Sequence, residues 1–262
     1  MKKIVLLMMS ILVMAILAAC GGGADKATDE EKDSAGGDAS TMVLTMGTSA
    51  DYAPFEYIDT EGTGDFMGID LEIAQAITEN LGYELKIQDM DFGGLIAALQ
   101  NGQVDFVMSA MSADEDRKKN ADFSEVYYES KHFIVSKKGS GFETIEDLAG
   151  KKVAAQMGSV QEGKGKELAE EIGFSMENRN RVPELIQEIM AGRLDAAIIE
   201  DTVAKGYLAE NKEIEGFTIE DVDGGYAIAF PKGSELREEF NTELQKMLES
   251  GEIDTIIKKY FK

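Results

Sequence analysis

The stretch Val-Asp-Phe-Val-Met-Ser-Ala-Met-Ser-Ala-Asp-Glu-Asp-Arg, residues 104–117, joins a predicted strand to a predicted helix start. Val104 to Met108 is an apolar run of strand length. Ser112-Ala113-Asp114-Glu115 has the capping-box pattern, in which the serine accepts a backbone N–H and the glutamate reaches back. A helix N-terminus attracts anions, and Arg117 adds a guanidinium that holds a carboxylate by two hydrogen bonds. The stretch therefore predicts a carboxylate site, although a routine helix cap beside a surface arginine has the same spacing.

A second capping box, Ser159-Val160-Gln161-Glu162, follows an apolar run at Lys151 to Ala155. It predicts another helix start whose free N–H groups point outward. Because one such site lies in each half of the chain, the pair predicts one small carboxylate ligand held between two lobes.

From Met42 onward, strand-like runs alternate with amphipathic segments, which indicates an α/β fold. Asp70 is predicted to cap a helix that ends at Gly82, and Pro183 to stand at the start of another. The C-terminal residues predict two helices that break at Gly251 and pack onto the first lobe. The predicted strands are Val43–Met46, Tyr83–Ile87, Val104–Met108, Lys151–Ala155 and Asp195–Ile199.

Two apolar runs are candidates for strands that cross between the lobes. They are Lys131 to Ser136 and Tyr226 to Phe230. With these crossings, residues 42–131 and 224–262 form the predicted first lobe, and residues 132–223 form the second.

The N-terminus predicts a secretory signal, because Lys2 and Lys3 precede a short apolar core that ends in small residues. Leu17-Ala18-Ala19-Cys20 resembles the bacterial lipobox, which implies cleavage after residue 19 and lipid on Cys20. Residues 20–41 lack large apolar side chains and are predicted to be a flexible tether. Cys20 is the only cysteine, so the sequence predicts neither a disulfide nor a cysteine-ligated metal.

Composition excludes several classes of function. The formal net charge is -24, which argues against nucleic acid as a partner because phosphate binding needs a basic face. The single histidine, His132, lies inside an apolar run, so neither a Ser-His-Asp triad nor a metal cluster is expected. No phosphate-binding or dinucleotide motif is present, and we expect no cofactor.

Two further groups are candidates for ligand contacts. Tyr52 follows a strand end, where ligands bind in open α/β sheets, and its ring can wall an apolar slot. Glu200-Asp201 follows a buried strand: Asp201 is expected to cap a helix, and Glu200 can present a carboxylate to an ammonium group.

Residues 47–56, Gly-Thr-Ser-Ala-Asp-Tyr-Ala-Pro-Phe-Glu, resemble the opening of the extracellular solute-binding proteins of polar amino acid ABC transporters. The resemblance extends from Val43 to Lys262 and implies a type II periplasmic-binding fold, with two α/β lobes joined by two crossing strands. Four more segments carry it: Gly68-Ile69-Asp70-Leu71, Met90-Asp91-Phe92-Gly93-Gly94-Leu95-Ile96, Ser112 to Arg117 with Asp122-Phe123-Ser124, and Ala191-Gly192-Arg193-Leu194-Asp195-Ala196.

The resemblance also implies roles for individual residues. Arg117 would clamp the α-carboxylate of an amino acid, and Glu200 stands where the family usually has the aspartate that binds the α-ammonium. Tyr52 and Phe92 would sandwich the ligand side chain. The remaining expected contacts are Ser112, Ser159 and Val160 at the carboxylate, Ser109, Ala110 and Met111 on the floor, and Gln156 and Gln161 from the second lobe.

Two departures from the family pattern bear on specificity. Ser49 stands where relatives that bind basic amino acids or glutamine often carry an aspartate. Glu200 is one methylene longer than the usual aspartate, and Asp201 is an alternative partner for the ammonium.

The leading interpretation is a monomeric receptor, lipid-anchored on the extracytoplasmic face of the bacterial cell membrane. It would capture a polar amino acid and deliver it to an ABC permease. The alternative is an enzyme on the same fold, such as a dehydratase, with Glu200 as an acid. An acid–base reaction usually needs a second positioned group, and zwitterion binding already explains the Arg–Glu pair.

Overall fold

The computed structural model describes residues 41–60, 62–222 and 224–261. The predicted signal sequence, Cys20 and nearly all of the predicted tether lie outside these residues. The strands are β1 Val43–Thr48, β2 Asp51–Tyr52, β3 Glu56–Ile58, β4 Phe66–Met67, β5 Glu84–Asp89, β6 Phe106–Val107, β7 Asp122–Phe123, β8 Lys131–Lys137, β9 Lys152–Gln156, β10 Ser175–Arg179, β11 Ala196–Glu200, β12 Ile214–Val222 and β13 Ala229–Phe230. The α-helices are α1 Ile69–Leu81, α2 Leu95–Gln100, α3 Val160–Ile172, α4 Val182–Met190, α5 Asp201–Glu210, α6 Leu236–Ser250 and α7 Glu252–Tyr260.

Most strands belong to two five-stranded sheets. The first has the order β5-β1-β6-β13-β7, with β1 parallel to both β5 and β6. The second has the order β10-β9-β11-β8-β12, with β9 parallel to both β10 and β11. Parallel strands need crossover helices, and the alternation of strands and helices along the chain supplies them. The predicted α/β class is confirmed.

The chain passes from the first sheet to the second between β7 and β8, and returns between β12 and β13. The two connections pair with each other through an antiparallel bridge between Tyr128 and Tyr226, whose rings stack with centroids 5.7 Å apart. The predicted crossing runs therefore lie mainly within the sheets, since β8 belongs to the second sheet and β13 to the first. The exact lobe boundaries stay a prediction.

Helix α1 begins earlier than predicted, because Gly68 and not Asp70 is its N-cap residue. Gly68 has a φ of 132°, and a Cβ there would lie 2.1 Å from the carbonyl oxygen of Phe55. Asp70 is instead a fully buried residue of the first turn. Its carboxylate accepts hydrogen bonds from the backbone N–H of Ala110 and the hydroxyl of Tyr127.

The two C-terminal helices pack on the first sheet side, as predicted. Gly251 ends α6 in the left-handed conformation, at φ 76°. Phe240 of α6 lies against Phe106 and Phe230 of the first sheet, with ring centroids 4.9 and 5.4 Å away. Aromatic contacts of this kind bury a large apolar area and hold the helix in place.

Candidate ligand-binding site

A narrow cavity of about 10 Å³ lies between the two sheets, beyond the carboxyl ends of β1 and β9. Open α/β sheets bind ligands at such edges. Six of its residues lie in the short β2–β3 hairpin or follow strands of the first sheet, and the other three come from β9 and the start of α3. The lining residues are Ser49, Tyr52, Glu56, Phe92, Ser109, Ala110, Gln156, Ser159 and Gln161.

The sequence predicted eight of these nine residues. Of the other predicted contacts, Met111, Arg117 and Val160 line a wider groove that also contains Phe92 and Ser159. Ser112 and Glu200 are buried and line neither of these two spaces. Their direct contact with a ligand stays a prediction.

The floor of the cavity is a chain of hydrogen bonds from β1 to β3. The backbone N–H of Ser49 donates to Ser109 Oγ at 3.0 Å, and that hydroxyl donates to Glu56 Oε1 at 2.9 Å. Ser109 follows β6, where the backbone turns sharply, and Ala110 adopts a φ of 42°. These groups all lie on the first-sheet side, so their hydrogen bonds hold the floor in place without a charged group from the second sheet.

Arg117 is nearly buried and its guanidinium is held from three sides. It donates to the carbonyl oxygens of Ser112 and Gly158, each at 2.8 Å, and forms an ion pair with Asp114 at 3.2 Å. Its guanidinium carbon lies 5.3 Å from the ring centroid of Phe92. Because Gly158 follows β9, Arg117 connects the two sides of the cleft.

The first predicted capping box is wrong. No α-helix begins at Ser112, which instead forms a β-bridge with Tyr226, and only the short 3₁₀ helix Arg117–Lys119 follows. The carboxylate of Asp114 accepts the backbone N–H groups of Asp116 and Arg117, at 2.9 and 2.8 Å. Aspartate competes well for such local hydrogen bonds, and the chain re-enters the sheet at β7 before a longer helix can form.

The second predicted capping box is confirmed as the start of α3. Ser159 Oγ accepts the backbone N–H of Glu162 at 3.1 Å, and Glu162 Oε2 accepts the N–H of Gly158 at 2.6 Å. The cap stands against the other side of the cleft: a Cβ on Gly158 would lie 2.8 Å from the Cα of Gly93. A side chain at Gly158 would therefore prevent this approach of the two backbones.

Glu200 has the capping role that the sequence assigned to Asp201. Its Oε2 accepts the backbone N–H of Val203 at 2.8 Å, at the start of α5. Burial raises the pKa of Glu200, and a hydrogen bond with Asp201 raises it further. Burial also acts on Asp201, but hydrogen bonds with Glu200 and Lys205 outweigh it and lower the pKa.

The sequence analysis missed Glu56 as a cavity residue. Glu56 is 1% exposed, and its carboxyl lies beside that of Asp70. Burial and the neighbouring charge raise the pKa of Glu56 well above its usual range, and burial raises the pKa of Asp70 to about 7. The position of Glu56 directly after Pro54-Phe55 was visible in the sequence, but its direction toward the cavity depends on the β2–β3 hairpin.

A second missed feature is an ion-pair cluster across the cleft. Arg181, at the start of α4, contacts the carboxylates of Asp51, Asp89 and Asp91 at 3.2, 2.9 and 2.9 Å. The backbone N–H of Val182 donates to Asp51 as well, at 2.8 Å. These contacts join the start of α4 to strand ends on the first-sheet side, so the structure is in a closed form.

Two features, a metal cluster and a membrane-spanning helix, are absent from the part of the chain that the structure describes. Residues 41–60, 62–222 and 224–261 contain no group of three or more His, Cys, Asp or Glu side chains placed to hold a metal ion. Within the same ranges, no helix has the length and apolar character needed to cross a membrane.

Comparison with known proteins agrees with this architecture. Residues 44–262 match the model of the bacterial extracellular solute-binding proteins, family 3. The arginine-binding extracellular protein ArtP of Bacillus subtilis is 49% identical over 231 residues, which cover 87% of this chain and 89% of the relative.

Two solved structures are similar in fold and sequence. A substrate-binding protein of an amino acid ABC transporter superposes with a TM-score of 0.80 at 39% identity, over 84% of this chain and 99% of the other. The arginine-bound substrate-binding protein AbpA of Streptococcus pneumoniae gives a TM-score of 0.78 at 36% identity, over 84% and 94%.

The chain therefore belongs to family 3 of the bacterial extracellular solute-binding proteins, and it has their type II periplasmic-binding fold. It is an extracytoplasmic protein that works with an ABC transporter as its amino acid receptor.

Proposed function

We propose that this receptor takes a cationic amino acid, with arginine as its principal ligand, and delivers it to the permease. One observation carries the choice of ligand. The buried carboxyl of Glu56 stands at the cavity floor, beside Asp70, and the groups that donate hydrogen bonds to the two carboxyls are neutral: the Ser109 hydroxyl, the Ala110 N–H and the Tyr127 hydroxyl. A buried acidic pair without a cation favours a ligand that supplies one.

The α-carboxylate has its partners at the cleft mouth. Arg117 already spans the cleft to Gly158, and the start of α3 presents N–H groups beside it. A carboxylate can accept from the guanidinium and from a helix N-terminus at the same time. Binding of the carboxylate at this position stabilises the closed form, because its hydrogen-bond donors come from both sides of the cleft.

The α-ammonium is assigned to Glu200, with Asp201 as the alternative. Glu200 Oε1 is buried and accepts no hydrogen bond among the described residues. An ammonium group would replace the proton that Glu200 shares with Asp201 and favour the ionised carboxylate. Tyr52 and Phe92, both in the cavity wall, would then cover the apolar part of the ligand side chain.

Calorimetric titration with L-arginine, L-lysine and L-citrulline tests the choice of ligand. Citrulline matches arginine in shape but carries a neutral urea group. We expect arginine to bind at least tenfold more tightly than citrulline, because a desolvated charge pair is worth about 1.4 kcal/mol or more. Equal affinity for the two would contradict the proposal.

A matched pair of variants locates the cation site. Glu56→Gln removes the buried carboxyl, whereas Glu84→Gln makes the same change at an exposed position on β5. We expect the first to remove the preference for arginine over citrulline and the second to keep it. A preference that survives Glu56→Gln would place the cation elsewhere.

We also propose that Cys20 carries lipid and anchors a monomer to the membrane. The support is the Leu17-Ala18-Ala19-Cys20 motif. Mass spectrometry of the N-terminal peptide would detect the lipid, and Cys20→Ala should release the protein from the membrane fraction. Light scattering at micromolar concentration should give the mass of one chain.

Finally, we propose that the chain catalyses no reaction. Arg117 and Glu200 are assigned to the zwitterion and Glu56 to the cation of the ligand side chain, and an acid–base reaction usually needs a further positioned group. Incubation with amino acids should yield no product, and turnover would overturn this part of the proposal.

A further inference from the structure

We propose that Glu56 and Asp70 together hold one proton in the empty cavity and release it to solvent when a cationic side chain binds. The site would then exchange a proton for a guanidinium. This inference rests on the proposed cationic ligand and adds a property that cation binding alone does not require.

The geometry gives the two carboxyls unequal surroundings. Asp70 accepts two hydrogen bonds of 2.7 Å, from the N–H of Ala110 to Oδ2 and from the hydroxyl of Tyr127 to Oδ1. Glu56 accepts one, from Ser109 to Oε1, and its Oε2 accepts none among the described residues. Donors stabilise the ionised form, so Asp70 keeps the charge and Glu56 keeps the proton.

The shared proton lies between the two groups. Protonated Glu56 donates a hydrogen bond to Asp70, which raises the pKa of Glu56 and lowers that of Asp70. Two adjacent buried carboxylates cannot both ionise without a counter-charge. Above the pKa of Asp70, at about 7, the pair therefore carries one negative charge while the cavity is empty.

The other charged and titratable groups around the pair do not supply that counter-charge. Asp51, on β2, acts on Glu56 as a further negative charge. The cation near Asp51 is Arg181, which is shared with Asp89 and Asp91. Tyr127 is neutral, because burial and the two acids raise the pKa of its hydroxyl well above the usual range.

A bound guanidinium changes this balance. The guanidinium stabilises a second ionised carboxylate at the cavity floor, so Glu56 releases its proton to solvent. The step is a proton transfer, and no bond to carbon forms or breaks. Because the empty protein binds one more proton than the arginine complex, arginine affinity should rise with pH. The rise is at most about tenfold per pH unit for one proton.

Proton counting by calorimetry tests the exchange. Arginine and citrulline are titrated between pH 7.5 and 8.5, above the pKa of Asp70, in buffers that differ in ionisation enthalpy, and the dependence of binding enthalpy on buffer gives the protons released. Glu200 can also lose a proton when the shared α-ammonium binds, so the informative quantity is the difference between the ligands. We expect arginine to release about one proton more than citrulline.

The variants Glu56→Gln and Glu84→Gln test whether Glu56 is the source of the additional proton. Glu56→Gln should abolish the difference in proton release, and Glu84→Gln should keep it. Equal release for arginine and citrulline in the wild-type protein, with arginine bound more tightly, would overturn the proton exchange alone. Failure of every cationic amino acid to bind would overturn both the proposed ligand and the exchange.

Discussion

Arg181 and Asp89 join the two sides of the cleft through two parallel hydrogen bonds. Nη1 of Arg181 donates to Oδ1 of Asp89 at 2.9 Å, and Nη2 donates to Oδ2 at 3.2 Å. The cluster is partly exposed, with 24% of the Arg181 side chain accessible, so solvent weakens each contact. It nevertheless favours the closed form in the absence of ligand, because the pairs exist only when the sides meet.

Arg181→Gln should therefore open the unliganded protein. We expect a larger radius of gyration by small-angle X-ray scattering, and return to the closed value with saturating arginine. The loss of a partly exposed cluster should weaken binding by about three- to tenfold.

Arg193→Gln is the matched control, because Arg193 is 62% exposed and pairs only within the second lobe, with Glu188. About 1 M salt, which shortens the Debye length to about 3 Å, should open the wild-type protein but leave Arg181→Gln unchanged. A variant as closed as the wild type would show that the cluster does not hold the lobes.

Arg117→Lys should weaken the binding of every amino acid by about 100-fold or more, because a lysine cannot make two parallel bonds to a carboxylate. The unfolded fraction should stay small, which thermal unfolding checks. Lys118→Ala, at the exposed neighbour, should change affinity less than twofold. Near-normal binding by Arg117→Lys would mean that the α-carboxylate lies elsewhere.

Ser159→Ala should lower the free energy of unfolding by about 1 kcal/mol, because α3 loses its N-cap side chain. The exposed serine at the start of β10, Ser175, provides the control, and Ser175→Ala should change stability by less than about 0.5 kcal/mol. Denaturant unfolding at constant pH measures both. Equal stability of the two variants would contradict the capping role.

The Glu56–Asp70 pair should also make the stability of the unliganded protein depend on pH. A carboxyl whose folded-state pKa is raised contributes stability fully below its unfolded pKa and loses that contribution as pH rises. With the pKa of Asp70 at about 7, the loss should extend from about pH 4 to pH 7.

The stability difference between wild type and Glu56→Gln reports the contribution of the pair, because acids outside the pair titrate alike in both proteins. Across that range, the stability of the wild-type protein should fall relative to the variant. A constant difference would show that the pair does not share a proton in the folded state.

Local sequence patterns predicted much of the fold because their physical causes are local. The capping box at Ser159 needs only four consecutive residues and a free helix end, and α3 begins there. Gly251 ends α6 because glycine adopts the left-handed conformation without strain. The predicted box at Ser112 failed because Asp114 accepts the N–H groups of Asp116 and Arg117, and the backbone of Ser112 pairs with Tyr226 in a β-bridge.

The sequence by itself determined the α/β class, the family and most of the cavity wall, as well as Arg117 in the adjoining groove. Periodicity, turns and caps depend on neighbours a few residues away, and the family motifs are contiguous. Only the tertiary structure decided the partners of Glu56 and Arg181, because Asp70 is 14 residues from the first and Asp89 is 92 from the second. Contacts between such distant residues form only when the chain has packed into two sheets and closed its cleft.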